Sequence, residues 1–275
     1  MVAFDPQTGR GPNELFRPSS GAPPWTPDGV VFPLAGRHTG DLLLALPAIG
    51  WALQHGPVGI DGLRPQYYQA FRALPLRFGL GFPSGRRLKP RPRRGVHATD
   101  IWLESLGEGA MPVKVPLALY DDSTAERLLP GTGWIVLSPW SDFEPKRWGV
   151  ERWRNLAEQV AAAGHPVAIV GPQRAYALAE AIAGQRHLNL AGQDSPLNWP
   201  SLLRRASLVV STDSAPVHVA DALGVPVIGL YGHTRLCEYG PYWHRDRCVQ
   251  AEGMVNLQVD AVMARFASWR AGASA

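Results

Sequence analysis

The chain has 275 residues and a formal net charge of +4, with 45% hydrophobic and 18% charged residues. That composition is ordinary for a soluble protein and supplies a sizeable core, as one large domain or two smaller ones. Six basic residues and no acid fall in the single stretch RRLKPRPRR (86–94), so the basic balance is local; the run is broken by proline and lacks interleaved aromatics, which argues against nucleic acid as a partner. It reads as a solvated loop, or else as a place for an anionic acceptor.

Residues 1–29 are rich in Pro, Gly and Ser without the apolar core of a secretory signal, and are expected to form an extended or disordered arm. A first lobe should follow over 30–125. VVFPLA (30–35) predicts a strand, GRHTG (36–40) a turn, and Asp41 to Gln54 an apolar helix with Asp41 in its first turn. Its uncharged stretch, residues 42–53, contains Pro47 and falls short of the ~20 residues needed to span a bilayer. A cytoplasmic protein, in contact with a membrane at most peripherally, is the expectation. From Pro57 to Gly95 the pattern dissolves into short apolar pieces, until HATDIWLESLG (97–107) restores helical spacing. A linker is expected within 117–133.

A second lobe should occupy 126–255, followed by a C-terminal helix over 256–275. Strands are predicted near 134–138, 166–171, 187–190, 207–211 and 225–230, with helical patterns between them. In 151–163, Trp153, Leu156, Ala157 and Val160 share one helical face, and Gly164 with Pro166 ends the helix. Alternating short apolar strands and helices imply a parallel sheet covered on both faces, whose ligands bind beyond the carboxyl ends of the strands. STDSAPVHVADALG (211–224) sets polar residues where such a strand hands over to a helix, with Pro216 in the first turn and Gly224 at the end. The start of that helix offers unpaired N–H groups and a positive dipole end, which attract phosphate. Neither a GxGxxG turn nor a GxxxxGK[ST] loop is present. The two cysteines, Cys237 and Cys248, build no disulfide framework and fit a reducing compartment.

Three strand ends, GRHTGDLLLALPAI (36–49), SPWSDFEPKRWGVERW (138–153) and STDSAPVHVADALGVPVIGLYGHT (211–234), occur in an order that resembles glycosyltransferase family 9, the ADP-heptose:lipopolysaccharide heptosyltransferase family. The resemblance is best from about 134 to 241. It implies an α/β fold of the GT-B type, two Rossmann-like lobes with parallel sheets facing across a cleft, and an inverting transfer of a sugar from a nucleotide diphosphate donor to a hydroxyl without a cofactor or metal. The acceptor would be an anionic glycan, a lipid-linked saccharide, a small molecule or a protein side chain. Asp213, Ser214, Ala215, Pro216 and His218 would line the donor pocket, with Asp213 accepting hydrogen bonds from sugar hydroxyls. Asp213 or Ser214 also suits the helix N-cap. Lys146 would sit beside the leaving diphosphate, where a fixed ammonium counters charge that grows as the glycosidic bond breaks. Ser141 is a weaker phosphate candidate and Thr234 weaker still. Asp41 would be the general base that deprotonates the acceptor; its other reading is an acid stabilising the first helical turn.

Two departures stand out. Gln173 occupies the position where the family usually has a ribose-binding acid, and the first lobe is short. An amide still bonds to hydroxyls, but a preference for ADP becomes less secure. A nonhydrolysing sugar-nucleotide epimerase and a catalytically silent sugar-nucleotide-binding protein are therefore alternatives. His233, Cys237, His244 and Cys248 form two HxxxC pairs that could gather a zinc ion, although their spacing matches no common finger.

Overall fold

The computed structural model describes residues 29–34, 39–61, 76–79, 85–115, 117, 122–193 and 199–273. The N-terminal arm and most of the GRHTG turn lie outside them. The chain divides into two compact units, Met1–Ala118 and Leu119–Ala275.

The first unit holds strands β1 (Val30–Pro33), β2 (Val58–Asp61), β3 (Leu76–Gly79) and β4 (Arg86–Arg87), all parallel, in the order β3-β2-β1-β4. Helix α1 (Thr39–Leu53) joins β1 to β2 and is buried almost all round, as expected of a helix without a polar face. Pro47 deprives it of one internal donor. Nearby carbonyls take outside partners: that of Leu44 accepts the Thr99 hydroxyl at 2.7 Å, and that of Pro47 accepts the Val113 N–H at 3.1 Å. At Gly50 a Cβ would lie 2.3 Å from the Val115 side chain, so glycine lets residues 113–115 cross close to α1. Helix α2 (Ala98–Leu106) packs on α1, with His97 accepting the Thr99 N–H at its start and Trp102 against Phe32.

The basic stretch corrects the expectation of a wholly solvated loop. Its first two residues form β4, and Arg86 donates to the carbonyls of Ser105 and Leu106 at the end of α2. Arg87 pairs with the buried Asp61, and Arg93 with Glu104.

The second unit begins with helix α3 (Asp122–Leu128), which occupies part of the expected linker. It then alternates β5 (Ile135–Ser138), α4 (Val150–Ala162), β6 (Val167–Ile169), α5 (Tyr176–Ala183), β7 (Leu188–Asn189), α6 (Trp199–Arg204), β8 (Leu208–Thr212), α7 (Ala215–Leu223), β9 (Val227–Tyr231), α8 (Leu236–Tyr239), β10 (Val249–Gln250) and α9 (Val259–Ala273). The sheet is parallel throughout, in the order β10-β9-β8-β5-β6-β7. Read from β5, this is the doubly wound dinucleotide-binding order. The chain runs outward through β6 and β7, then crosses back to place β8 on the other side of β5. Trp153, Leu156, Ala157 and Val160 of α4 are buried on that sheet as their spacing predicts.

The fold class expected from the sequence is the one observed: α/β, with a parallel Rossmann-like sheet in each unit. Among the described residues no helix is long and apolar enough to cross a membrane.

Candidate functional site

The direction of winding reverses between β5 and β8, and the side chains singled out in the second half converge there. Register sets the positions: Ser138 lies opposite Ser211 and Thr212 opposite Leu230, so the loops leaving β5, β8 and β9 emerge side by side. The Thr212 hydroxyl donates to the Trp140 carbonyl at 3.2 Å, joining the first two of these loops.

Asp213, the first residue beyond β8, is buried with a side chain only 6% exposed, and a carboxylate so placed needs partners. It finds them in the flanking loops. Lys146 Nζ lies 2.7 Å from its Oδ2, and the Thr234 hydroxyl donates to the same oxygen. Lys146 is held by a well-braced loop. Its N–H donates to the Phe143 carbonyl at 3.0 Å, and the Arg147 side chain donates to the Ser141 carbonyl while stacking 4.1 Å over Trp140. Trp148 is sunk in the core, edge-on to Trp153 and bonded to the Leu257 carbonyl at 2.7 Å. The ammonium therefore extends from a short segment anchored on both sides.

Helix α7 starts immediately after Asp213. Ser214 takes the N-cap position, but its side chain makes no cap bond; its hydroxyl turns back to the Thr212 carbonyl at 3.3 Å. Asp213 is committed to Lys146 and Thr234. Ser214 is thus the N-cap residue the sequence suggested, though without a side-chain cap bond; Pro216 brings no N–H to the first turn and the Val217 N–H goes to the Ser214 carbonyl at 3.1 Å, so the half-exposed start of the helix offers an anion chiefly its positive dipole end. His218 is buried one turn further in.

Ser141 is buried, and its hydroxyl oxygen accepts the Phe143 N–H at 3.2 Å, which makes it a turn-forming residue. Gln173 follows β6 and is exposed. Gly192, at φ +82°, leaves room for its carboxamide, since a Cβ there would lie 2.0 Å from Gln173 Oε1. Beside Gln173, Arg174 forms a two-pronged bond with Asp142, tying the β6 loop to the β5 loop. This hydrogen-bonded guanidinium, more than any other influence, holds the Asp142 carboxyl below its usual range. Asp41 lies in the first turn of α1, half-exposed, in the first unit.

The four HxxxC residues have separate roles. His244 Nδ1 lies 2.8 Å from Asp221, and Cys248 accepts the Gly229 N–H in the sheet. Burial pushes the Cys248 thiol up to about 12, which keeps it protonated in the sheet. His233 meets Phe143, and Cys237 is exposed. Among the described residues no three His, Cys, Asp or Glu side chains gather as a metal site.

Sequence reasoning missed the weight of Thr234, the Arg174–Asp142 bridge, and Asp221. Asp221 is buried in α7 and accepts the N–H groups of Tyr242 and Trp243 as well as binding His244. The LYGHT ending pointed to Thr234; nothing in the sequence connects 221 with 242–244.

The glycosyltransferase family 9 (heptosyltransferase) model matches residues 108–261. The lipopolysaccharide core heptosyltransferase OpsX of Haemophilus influenzae is 30% identical over 122 residues, which are 42% of this chain and 35% of that protein. The chain thus spans about a third of the length of the curated relatives it matches. A family 9 glycosyl transferase structure from Veillonella parvula superposes with a TM-score of 0.72 at 16% identity, over 89% of this chain and 98% of that one. The ADP-heptose lipopolysaccharide heptosyltransferase II of Escherichia coli gives 0.68 at 14% identity, over 90% and 100%. These structural likenesses are likenesses of fold.

Proposed function

The chain belongs to glycosyltransferase family 9, and from that premise we propose that it moves a sugar, with heptose the first candidate, from an ADP-linked donor to an acceptor hydroxyl with inversion. The observation that supports this best is the Lys146–Asp213 pair at the reversal point of the sheet, in front of the start of α7. A donor pyrophosphate suits that place. The positive end of the helix attracts its oxygens, and Lys146 turns from Asp213 toward the phosphate that departs. Negative charge builds on that phosphate as the sugar bond breaks, so a fixed ammonium stabilises the transition state more than the bound donor. Asp213, still held by Thr234, then accepts from sugar hydroxyls. Ser214, Ala215, Pro216 and His218 shape the pocket, and Gln173 bonds to the ribose.

Asp41 is the proposed base. A carboxylate within reach of the acceptor hydroxyl removes its proton as that oxygen attacks the face opposite the leaving diphosphate. The names of the relatives point to a lipopolysaccharide saccharide as acceptor, which makes an anionic, lipid-linked glycan the first to try. The test is to incubate the protein with ADP-heptose and other sugar nucleotides, with and without acceptor extracts, and to follow nucleoside diphosphate release and sugar transfer. Acceptor-dependent release is expected for the wild type. In Asp41→Asn transfer should fall at least ~100-fold while donor binding persists; undiminished transfer would remove Asp41 from the chemistry. Release without an acceptor, or an altered sugar, would refute the transferase reading.

A further inference from the structure

Phe143 leaves 49% of its surface exposed although it sits in the braced loop that carries Lys146. Its N–H is tied to Ser141 Oγ, and its carbonyl accepts the N–H of Lys146. The ring meets His233 edge-on, with centroids 4.8 Å apart and planes at 62°. These two rings come from the β5 and β9 loops, the same loops that bring Lys146 and Thr234 to Asp213 just beyond the strand between. His233 adjoins Thr234, and Phe143 begins the turn that ends at Lys146. An exposed phenyl ring on a braced backbone, in contact with an imidazole, therefore comes from the same two loops as the charged cluster.

We propose that Phe143 and His233 form a shelf for the transferred sugar of the nucleotide donor; this inference rests on the donor reading above. In a sugar nucleotide the sugar is bonded directly to the terminal phosphate, so with that phosphate at Lys146 the next group, against Asp213, is the sugar ring. A pyranose presents a C–H face and a rim of hydroxyls. A phenyl ring packs on the first, an imidazole bonds to the second, and together they combine apolar body and placed polar atoms as ligand pockets do. The β5 loop meets the ribose-side loop of Gln173 through Asp142 and Arg174, whereas the Phe143 ring turns to His233 of the β9 loop; a shelf there adds affinity for the sugar without adding affinity for the nucleotide.

The full-length chain is titrated calorimetrically with ADP and, separately, with ADP-heptose. Phe143→Ala should weaken ADP-heptose about five- to tenfold and leave ADP within about twofold, and Phe143→Tyr should restore the wild-type value. His233→Ala should act in the same direction on ADP-heptose alone. Equal weakening of both ligands by Phe143→Ala would show that the ring merely braces the Lys146 loop, and no change in either would show that the ring touches nothing; both overturn the shelf while the donor reading stands. A wild type that binds neither ligand removes the donor reading, and the shelf with it.

Discussion

Asp213 cannot be treated as a free sugar ligand. Its buried carboxylate is compensated by one ammonium and one hydroxyl, and each partner comes from a different loop. Removing one partner of a buried pair leaves the other charged and unsatisfied, which generally costs more than the pair contributes. Lys146→Met is therefore expected to lower kcat by ~100-fold or more and to reduce stability by about 1–3 kcal/mol. Asp213→Asn keeps an acceptor for Thr234 but leaves Lys146 without its countercharge, so its melting temperature should fall less than that of Lys146→Met. Stopped or coupled assays of diphosphate release, with thermal melts of the three proteins, check this. An unchanged kcat in Lys146→Met would exclude leaving-group stabilisation by that ammonium.

At the level of elements, the connection from β9 to β10 owes its course to one residue of α7. Asp221 accepts two consecutive backbone N–H groups and binds a histidine, all in a half-buried setting. Asp221→Ala leaves those donors unmatched and should destabilise the chain by about 2–4 kcal/mol, read as a lower denaturant midpoint at unchanged slope. The same element shows what the sequence could and could not disclose. The start of α7, its closing Gly224, and the strands before and after it follow from period, proline and glycine placement. So do α1, α2 and α4. In contrast, β3 and β4 sit among Gly, Pro and Arg, and β4 and β10 are two residues long; pairing with a neighbour, not local pattern, makes them strands. That Lys146 and Asp213 come together was legible through motif order. Thr234 and the Arg174–Asp142 bridge depend on which strands are adjacent, and adjacency follows from a crossover that no local pattern encodes.

For the molecule as a whole, each unit has its own parallel sheet and its own buried helices, and the residues proposed to hold the donor lie in the second, with Asp41 in the first. Residues 119–275 produced alone should melt cooperatively and bind ADP, yet show no transfer, because the proposed base, Asp41, is in the other unit. Circular dichroism melts and calorimetry test this; an unfolded fragment would mean that the second core is not self-sufficient. Every strand pairing among the described residues is parallel, and this bears on how the chain reaches its native state. Parallel neighbours cannot zip up from a hairpin; each must wait for the intervening segment to be looped across, which slows renaturation. Meanwhile stretches such as Val30–Pro33 and Leu208–Thr212 are unshielded and prone to stick to other chains. Recovery from denaturant is thus a race between loop closure and intermolecular encounter, and dilution tips it toward the native fold.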